Sequence, residues 1–131
     1  MGAVLLDTTV LIDVLRGSAG ALERLAALER GGDLPYTCAV NVEEVYRGLR
    51  ESEVDVAERL FRGIRQAPLG IAEGRTAGMW RRDFAARGTT LAQADCLVAA
   101  AAVGISARLA TGNVRHFPMP DLAVEEWPSG A

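Results

Sequence analysis

The sequence predicts an α/β fold: a three-layer α/β/α domain around a mainly parallel central sheet of four to five strands. Short apolar runs with abrupt polar ends alternate with longer segments patterned at helical spacing. Glycines and polar capping residues punctuate the boundaries between them. With 131 residues, half of them hydrophobic, the chain reads as a single domain over residues 1–131 with a generous core.

The first run, Val4 to Leu6, breaks at Asp7 and reads as a buried strand. Thr8 and Thr9 signal a helix through Leu11, Ile12, Val14 and Leu15, capped by Gly17. Ser18 opens a second helix with a stripe of Leu22, Leu25, Ala26 and Leu28, ended by Gly31 and Gly32. Pro35 to Val40 alternates as a strand. Asn41 reads as the cap of a third helix carrying Val42, Val45, Tyr46 and Leu49, and Glu53 to Arg62 continues as a helical segment. Ile64 to Leu69 is a weak strand, and Ile71 to Arg87 a long helix with Ala77, Trp80 and Phe84 on one face, stopped by Gly88. Thr90-Leu91-Ala92-Gln93 has the spacing of a capping box and opens an alanine-rich helix to about Val103. Ser106 to Thr111 is the next strand and Leu122 to Glu125 the last.

Fourteen basic and 17 acidic residues give a net charge of −3, which excludes a globally basic nucleic-acid binder but not a local basic patch. Every basic residue except His116 is arginine, so no mechanism that needs a catalytic lysine is open to the chain. One histidine cannot build a His-rich metal site. Cys38 and Cys96 lie far apart and read as small reduced hydrophobes, which points to a cytoplasmic protein. No long uncharged apolar stretch predicts a transmembrane helix, and the start of the chain does not read as a signal peptide.

Acidic residues carry the functional signal. Asp7 follows a strand directly, where open parallel sheets bind ligands, although alone it serves equally well as a helix cap. Asp95 sits among Leu91, Ala92, Val98 and Ala99 on an apolar helix face, a costly place for a carboxylate unless it is paired, for instance with Arg108, or metal-bound. Glu44 lies three residues after Asn41 at capping-box spacing, with Gly48 leaving space one turn on. Glu43 competes with it for the same role. Asn113, just after a strand, is either a turn residue or an oxygen donor at the same sheet edge.

The runs LLDTTVLIDVLRG, NVEEVYRG, LAQADCLVAAAA and LATGNVRHF stand in the order seen in PIN-domain ribonucleases. The sequence most resembles the VapC-type toxins of bacterial toxin–antitoxin pairs, over almost its whole length. The resemblance implies a PIN-like domain and metal-dependent endoribonuclease activity that inhibits translation or growth. It implies magnesium or manganese as cofactor and an RNA substrate, transfer or ribosomal RNA. It also implies a cognate antitoxin and a homodimer. Matched motif by motif, the acidic positions fall on Asp7, Glu44 and Asp95, the expected metal and catalytic residues. A fourth falls on Asn113, where many relatives carry Asp; the alternative acid position before Phe117 is His116.

Such a site hydrolyses a phosphodiester with a metal-activated water, Asp7 and Asp95 acting as principal ligands, Glu44 as a direct or water-mediated one, and Asn113 as an auxiliary. Thr111 is placed to orient its neighbours, and Asp13 reads as structural or exposed. Arg16, Arg47, Arg50 and Arg115 are candidate RNA-binding residues, with Arg81 and Arg82 as further phosphate contacts. Apolar stripes Leu22-Leu25-Leu28 and Val54-Ala57-Leu60-Phe61 offer a groove for a partner helix. A haloacid-dehalogenase-type phosphatase would need a second Asp where Thr9 stands, and a receiver domain needs a lysine. The stronger alternative is a PIN-like domain that binds RNA or protein without cutting.

Overall fold

A computed structural model describes residues 2–130. Five strands, β1 (Ala3–Leu6), β2 (Leu34–Thr37), β3 (Arg65–Gln66), β4 (Arg108–Thr111) and β5 (Val124–Glu126), form one sheet in the order β3-β2-β1-β4-β5. Every neighbouring pair is parallel. Parallel neighbours need long crossovers, and helices supply most of them. These are α1 (Thr8–Leu15), α2 (Ala19–Arg30), α3 (Ala39–Gly48), α4 (Val54–Arg62), α5 (Ile71–Ala86) and α6 (Gln93–Gly104).

Strand alternation divides the core into two layers. Leu5 and Leu109 lie opposite each other in register and face the layer built from α5 and α6, among Ala77, Trp80, Val98 and Ala99. Val4, Leu6 and Ala110 face the other way, toward Val10, Leu11, Leu28 and Val45. The sheet is therefore covered on both faces, the three-layer arrangement expected, with the strand count at five. Burial on both faces explains why β1 carries no polar alternation.

Three local expectations shift. The third helix begins at Ala39, with Cys38 as N-cap, so Asn41 lies inside its first turn. The last predicted helix begins at Gln93 with Ala92 as N-cap; Leu91 is buried in the core, and the chain stays extended past Thr90. The strand expected over 64–69 contracts to Arg65–Gln66, since Pro68 has no N–H to extend it. Glu51–Glu53 forms a short 3-10 turn leading into α4.

Chain order runs β1 to β2 to β3 on one side of the sheet, then crosses to β4 on the other. The switch point lies between the carboxyl ends of β1 and β4, where open α/β sheets bind ligands. Among the described residues, no helix is long and apolar enough to cross a membrane.

Candidate active site

Asp7 stands at that switch point, pinned by its backbone N–H, which donates to Ala110 O at 2.9 Å. The residue is only 7% exposed. Thr111, the last residue of β4, donates its hydroxyl to Asp7 Oδ2 at 2.7 Å. Asn41 Nδ2 donates to Asp7 Oδ1 at 3.2 Å and to Thr8 Oγ1 at 3.1 Å. Thr8 in turn donates to Glu44 Oε1 at 2.6 Å. One network thus ties β1, α1, α3 and β4 together.

Burial pushes the Asp7 carboxyl above the usual range. Hydrogen bonds from Thr111, the Thr8 backbone and Asn41 oppose that rise, and the charge on Glu44 adds to it. Asp95, on the first turn of α6, is raised as well, mainly by burial, then by repulsion from Asp7 and Glu44, against a lowering influence of His116. The three acids predicted from sequence therefore sense one another electrostatically at one edge of the sheet. Asp95 Oδ2 lies 3.7 Å from His116 Nδ1, too far for a hydrogen bond.

Asp95 does not pair with Arg108. That arginine starts β4 at the opposite edge, bound to Asp33 at 2.9 Å and Glu125 at 2.7 Å. Of Glu43 and Glu44, it is Glu44 that the Thr8 hydroxyl reaches, while Glu43 is exposed on α3. A Cβ at Gly48 would meet nothing within 4 Å, which leaves the expected open space on that helix. Asn113 is exposed, and its backbone N–H joins the network by donating to Thr111 Oγ1 at 3.0 Å. Asp13 is half-buried and accepts the Gly130 N–H at 2.9 Å, a structural role.

Of the candidate RNA-binding arginines, Arg16 is engaged with Glu53 at 3.0 Å. Arg47, Arg50 and Arg115 are exposed. Arg81 Nε donates to Leu91 O at 3.4 Å and so helps hold the loop before α6.

Asn41 is the residue whose role the sequence concealed. It is fully buried, and its amide is used at both ends: Oδ1 accepts the Cys38 N–H at 3.4 Å while Nδ2 serves Asp7 and Thr8. A caps-only reading missed this. The available signal was its spacing, one helical turn before Glu44 on the same face. Gly112 is needed for a different reason. Its N–H donates to Thr9 Oγ1 at 3.0 Å, and a Cβ there would lie 3.3 Å from Thr9, Trp127 and Ser129 atoms.

The donors gathered here are all oxygens, and two of the carboxyls are held above their usual range with no arginine against them. That set fits a hard divalent cation, which takes one or two protein carboxylates and completes its shell with water. Among the described residues, no three His, Cys, Asp or Glu side chains form a ready-made metal cage.

The PIN domain family model matches residues 4–119. The chain belongs to the PIN-domain family, within its VapC branch. Ribonuclease VapC19 of Mycobacterium tuberculosis is 35% identical over 119 residues, covering 90% of this chain and 95% of that protein. Ribonuclease VapC10 of the same organism is 34% identical over 116 residues, covering 88% and 86%. The fold is similar to VapBC2 from Rickettsia felis bound to a promoter DNA fragment, with TM-score 0.85, 17% identity, and 95% and 98% of the two chains covered. It is also similar to VapBC-1 from nontypeable Haemophilus influenzae, with TM-score 0.81, 21% identity, and 95% and 98% covered. VapC proteins are ribonuclease toxins of toxin–antitoxin pairs.

Proposed function

We propose that this chain is a magnesium- or manganese-dependent endoribonuclease, the toxin of a type II toxin–antitoxin pair, whose cleavage of RNA inhibits translation or growth. The observation that carries the reading is Asp7: a buried carboxylate at the switch point, served only by neutral donors and repelled by Glu44. Asp7 and Asp95 would hold the cation, Glu44 would hold it directly or through water, and Asn113 would assist. When bound, the ion lowers the pKa of a coordinated water and stabilises charge on the phosphate.

The chain's own residues prepare that chemistry. Thr111 and Asn41 each hold one oxygen of the Asp7 carboxylate, and the Thr8 backbone N–H donates to it as well, fixing its plane while leaving lone-pair capacity for a ligand. Thr8 does the same for Glu44. The apolar first turns of α6 exclude water from one side of Asp95. The test is cleavage of single-stranded RNA by the wild type and Asp7→Asn, with and without EDTA. Wild-type activity that EDTA removes and the variant lacks is expected; full cleavage by Asp7→Asn overturns the assignment.

The antitoxin belongs to the same proposal. The stripes expected to form its groove turn mostly inward: Leu25, Leu28, Leu60 and Phe61 pack on the core and Ala57 is buried, while Leu22 remains exposed. An apolar groove of about 440 Å³ opens instead between α3 and α4, lined by Ala39, Val42, Phe61 and Ile64. A partner segment anchored there would reach the acidic edge with a basic residue and compete with the cation. Phe61→Gln should weaken the complex with the neighbouring gene's product; an unchanged complex overturns this placement. The homodimer is part of the proposal too, with Ile71 and Met79, exposed on α5, as apolar residues available to it; light scattering tests it. The two buried free cysteines fit a reducing cytoplasm.

A further inference from the structure

Three grooves open near the carboxyl ends of the strands, and they differ in chemistry; of the site acids, only Asp95 lines one of them. The groove between α3 and α4 is apolar, and its one charged lining residue is Glu43. The other two are polar and lie on the β4–β5 side. One, of about 330 Å³, is lined by Thr89, Thr90, Asp95, Arg115 and His116 among others. The next, of about 320 Å³, is lined by Gly112, Asn113, Arg115, His116 and Glu126 among others. Arg115 and His116 belong to both, so the short 3-10 turn Val114–His116 is a ridge between two troughs. Each trough sits at the small end of ligand-sized pockets, from about 300 Å³ upward.

We propose that the RNA strand crosses the site over this ridge, with the Arg115 guanidinium clamping a backbone phosphate next to the scissile one and the Thr89–Thr90 segment contacting the nucleotide beyond Asp95. This rests on the nuclease reading above and adds the direction of the substrate. Charge decides between the grooves. A phosphate backbone entering between α3 and α4 meets Glu43 and no lining cation, whereas on the other side it meets Arg115, which has no carboxylate within ion-pair distance among the described residues. Arg16 cannot substitute, because Glu53 already holds its guanidinium. Glu126 lies on the far wall of the second trough and limits the phosphates that trough accepts, so the clamp is the shared residue. Thr89 and Thr90 are exposed, and their hydroxyls suit sugar or phosphate oxygens. The apolar groove is left to a protein partner, so substrate and partner approach the same carboxylates from opposite sides.

The test is steady-state cleavage of a short single-stranded RNA in magnesium at several salt concentrations. Arg115→Gln should raise KM about tenfold, the loss of one charge-assisted contact, and leave kcat within about twofold. The slope of log KM against log salt should fall by about 0.7, the share of one single-strand phosphate. Arg65→Gln, on the β3 side, should leave both unchanged. In metal-free buffer, RNA should protect amides at 113–116 and 89–92 from hydrogen exchange rather than those at 39–43 and 61–66. Unchanged KM and slope in Arg115→Gln, or protection of the α3–α4 side instead, overturns the path while leaving the nuclease reading intact. Wild-type cleavage by Asp7→Asn would overturn the nuclease reading itself.

Discussion

The two ends of the sheet treat their carboxylates in opposite ways. At the amino end, Arg108 bridges Asp33 and Glu125 at 2.9 and 2.7 Å, and Asp33 also accepts the Gly2 N–H at 2.8 Å. Those bonds hold the Asp33 carboxyl below its usual range and push the Arg108 guanidinium further up. At the carboxyl end, Asp7 is buried more deeply yet receives only neutral donors among the described residues, the Thr111 hydroxyl, the Asn41 amide and the Thr8 backbone N–H, and both Asp7 and Asp95 are held above their usual range. Acids on one scaffold thus end up paired with an arginine at one edge and, among the described residues, without one at the other. The first arrangement closes a structural seam. The second leaves buried carboxyls without a cationic partner, a cost in stability that protonation or a bound cation would recover.

The strongest way to break this contrast is to remove an acid from each end. Asp7→Asn and Asp95→Asn should each lower RNA cleavage by more than about a hundredfold, beyond the cost of losing an orienting group. Asp33→Asn should leave the cleavage rate unchanged. Initial rates on one RNA oligonucleotide, with melting curves to verify folding, decide it. Asn41 tests the supporting network. Asn41→Ala should reduce cleavage about 10- to 100-fold, the range for a group that orients a ligand. It should also destabilise the fold by about 1–3 kcal/mol, since the Cys38 N–H loses its buried acceptor. Rates and urea melts of the same preparation measure both.

Stability against pH separates the two ends without any assay of activity. A raised carboxyl binds more protons folded than unfolded. In metal-free buffer Asp7 therefore contributes most when protonated, and that contribution is lost as pH rises through its folded value. Asp33, lowered, contributes above the ordinary aspartate range and is lost as pH falls through its folded value. Asp7→Asn should flatten the first dependence and be slightly more stable than wild type at neutral pH; Asp33→Asn should flatten only the acid limb. Thermal melts across pH in EDTA show which limb each substitution moves. The smallest expected effect is at Asn113. Asn113→Asp adds a carboxylate at the exposed rim, one backbone contact from Thr111, and should tighten manganese binding severalfold by calorimetry. Equal affinities would place residue 113 outside the cation site.

Much of this was legible in the residues. The apolar run ending at Asp7 located β1, because strand burial on both faces leaves an unmistakable break. Asp95 was legible as a charge on an apolar helix face. What stayed hidden depended on contacts distant in sequence. Asn41 looked like a cap because a helix start and a buried amide share the same local pattern; only Asp7, 34 residues away, distinguishes them. Arg108 entered the sequence reading only as a candidate partner for Asp95; the carboxylates it meets follow from the parallel register that puts it at the amino end of β4, beside Asp33 and Glu125. The Thr90 box failed because burial of Leu91 outweighed local capping.

The most direct measurement of the central claim is a manganese titration followed by thermal shift on wild type, Asp7→Asn and Arg108→Met. Arg108→Met should melt lower by the small cost of a half-exposed ion pair, about 1 kcal/mol or less, yet show the wild-type manganese-dependent rise. Asp7→Asn should show the wild-type melting point or higher without metal, and lose the rise. A full manganese-dependent rise in Asp7→Asn, or its loss in Arg108→Met, would contradict the assignment of the cation site to the carboxyl edge of the sheet.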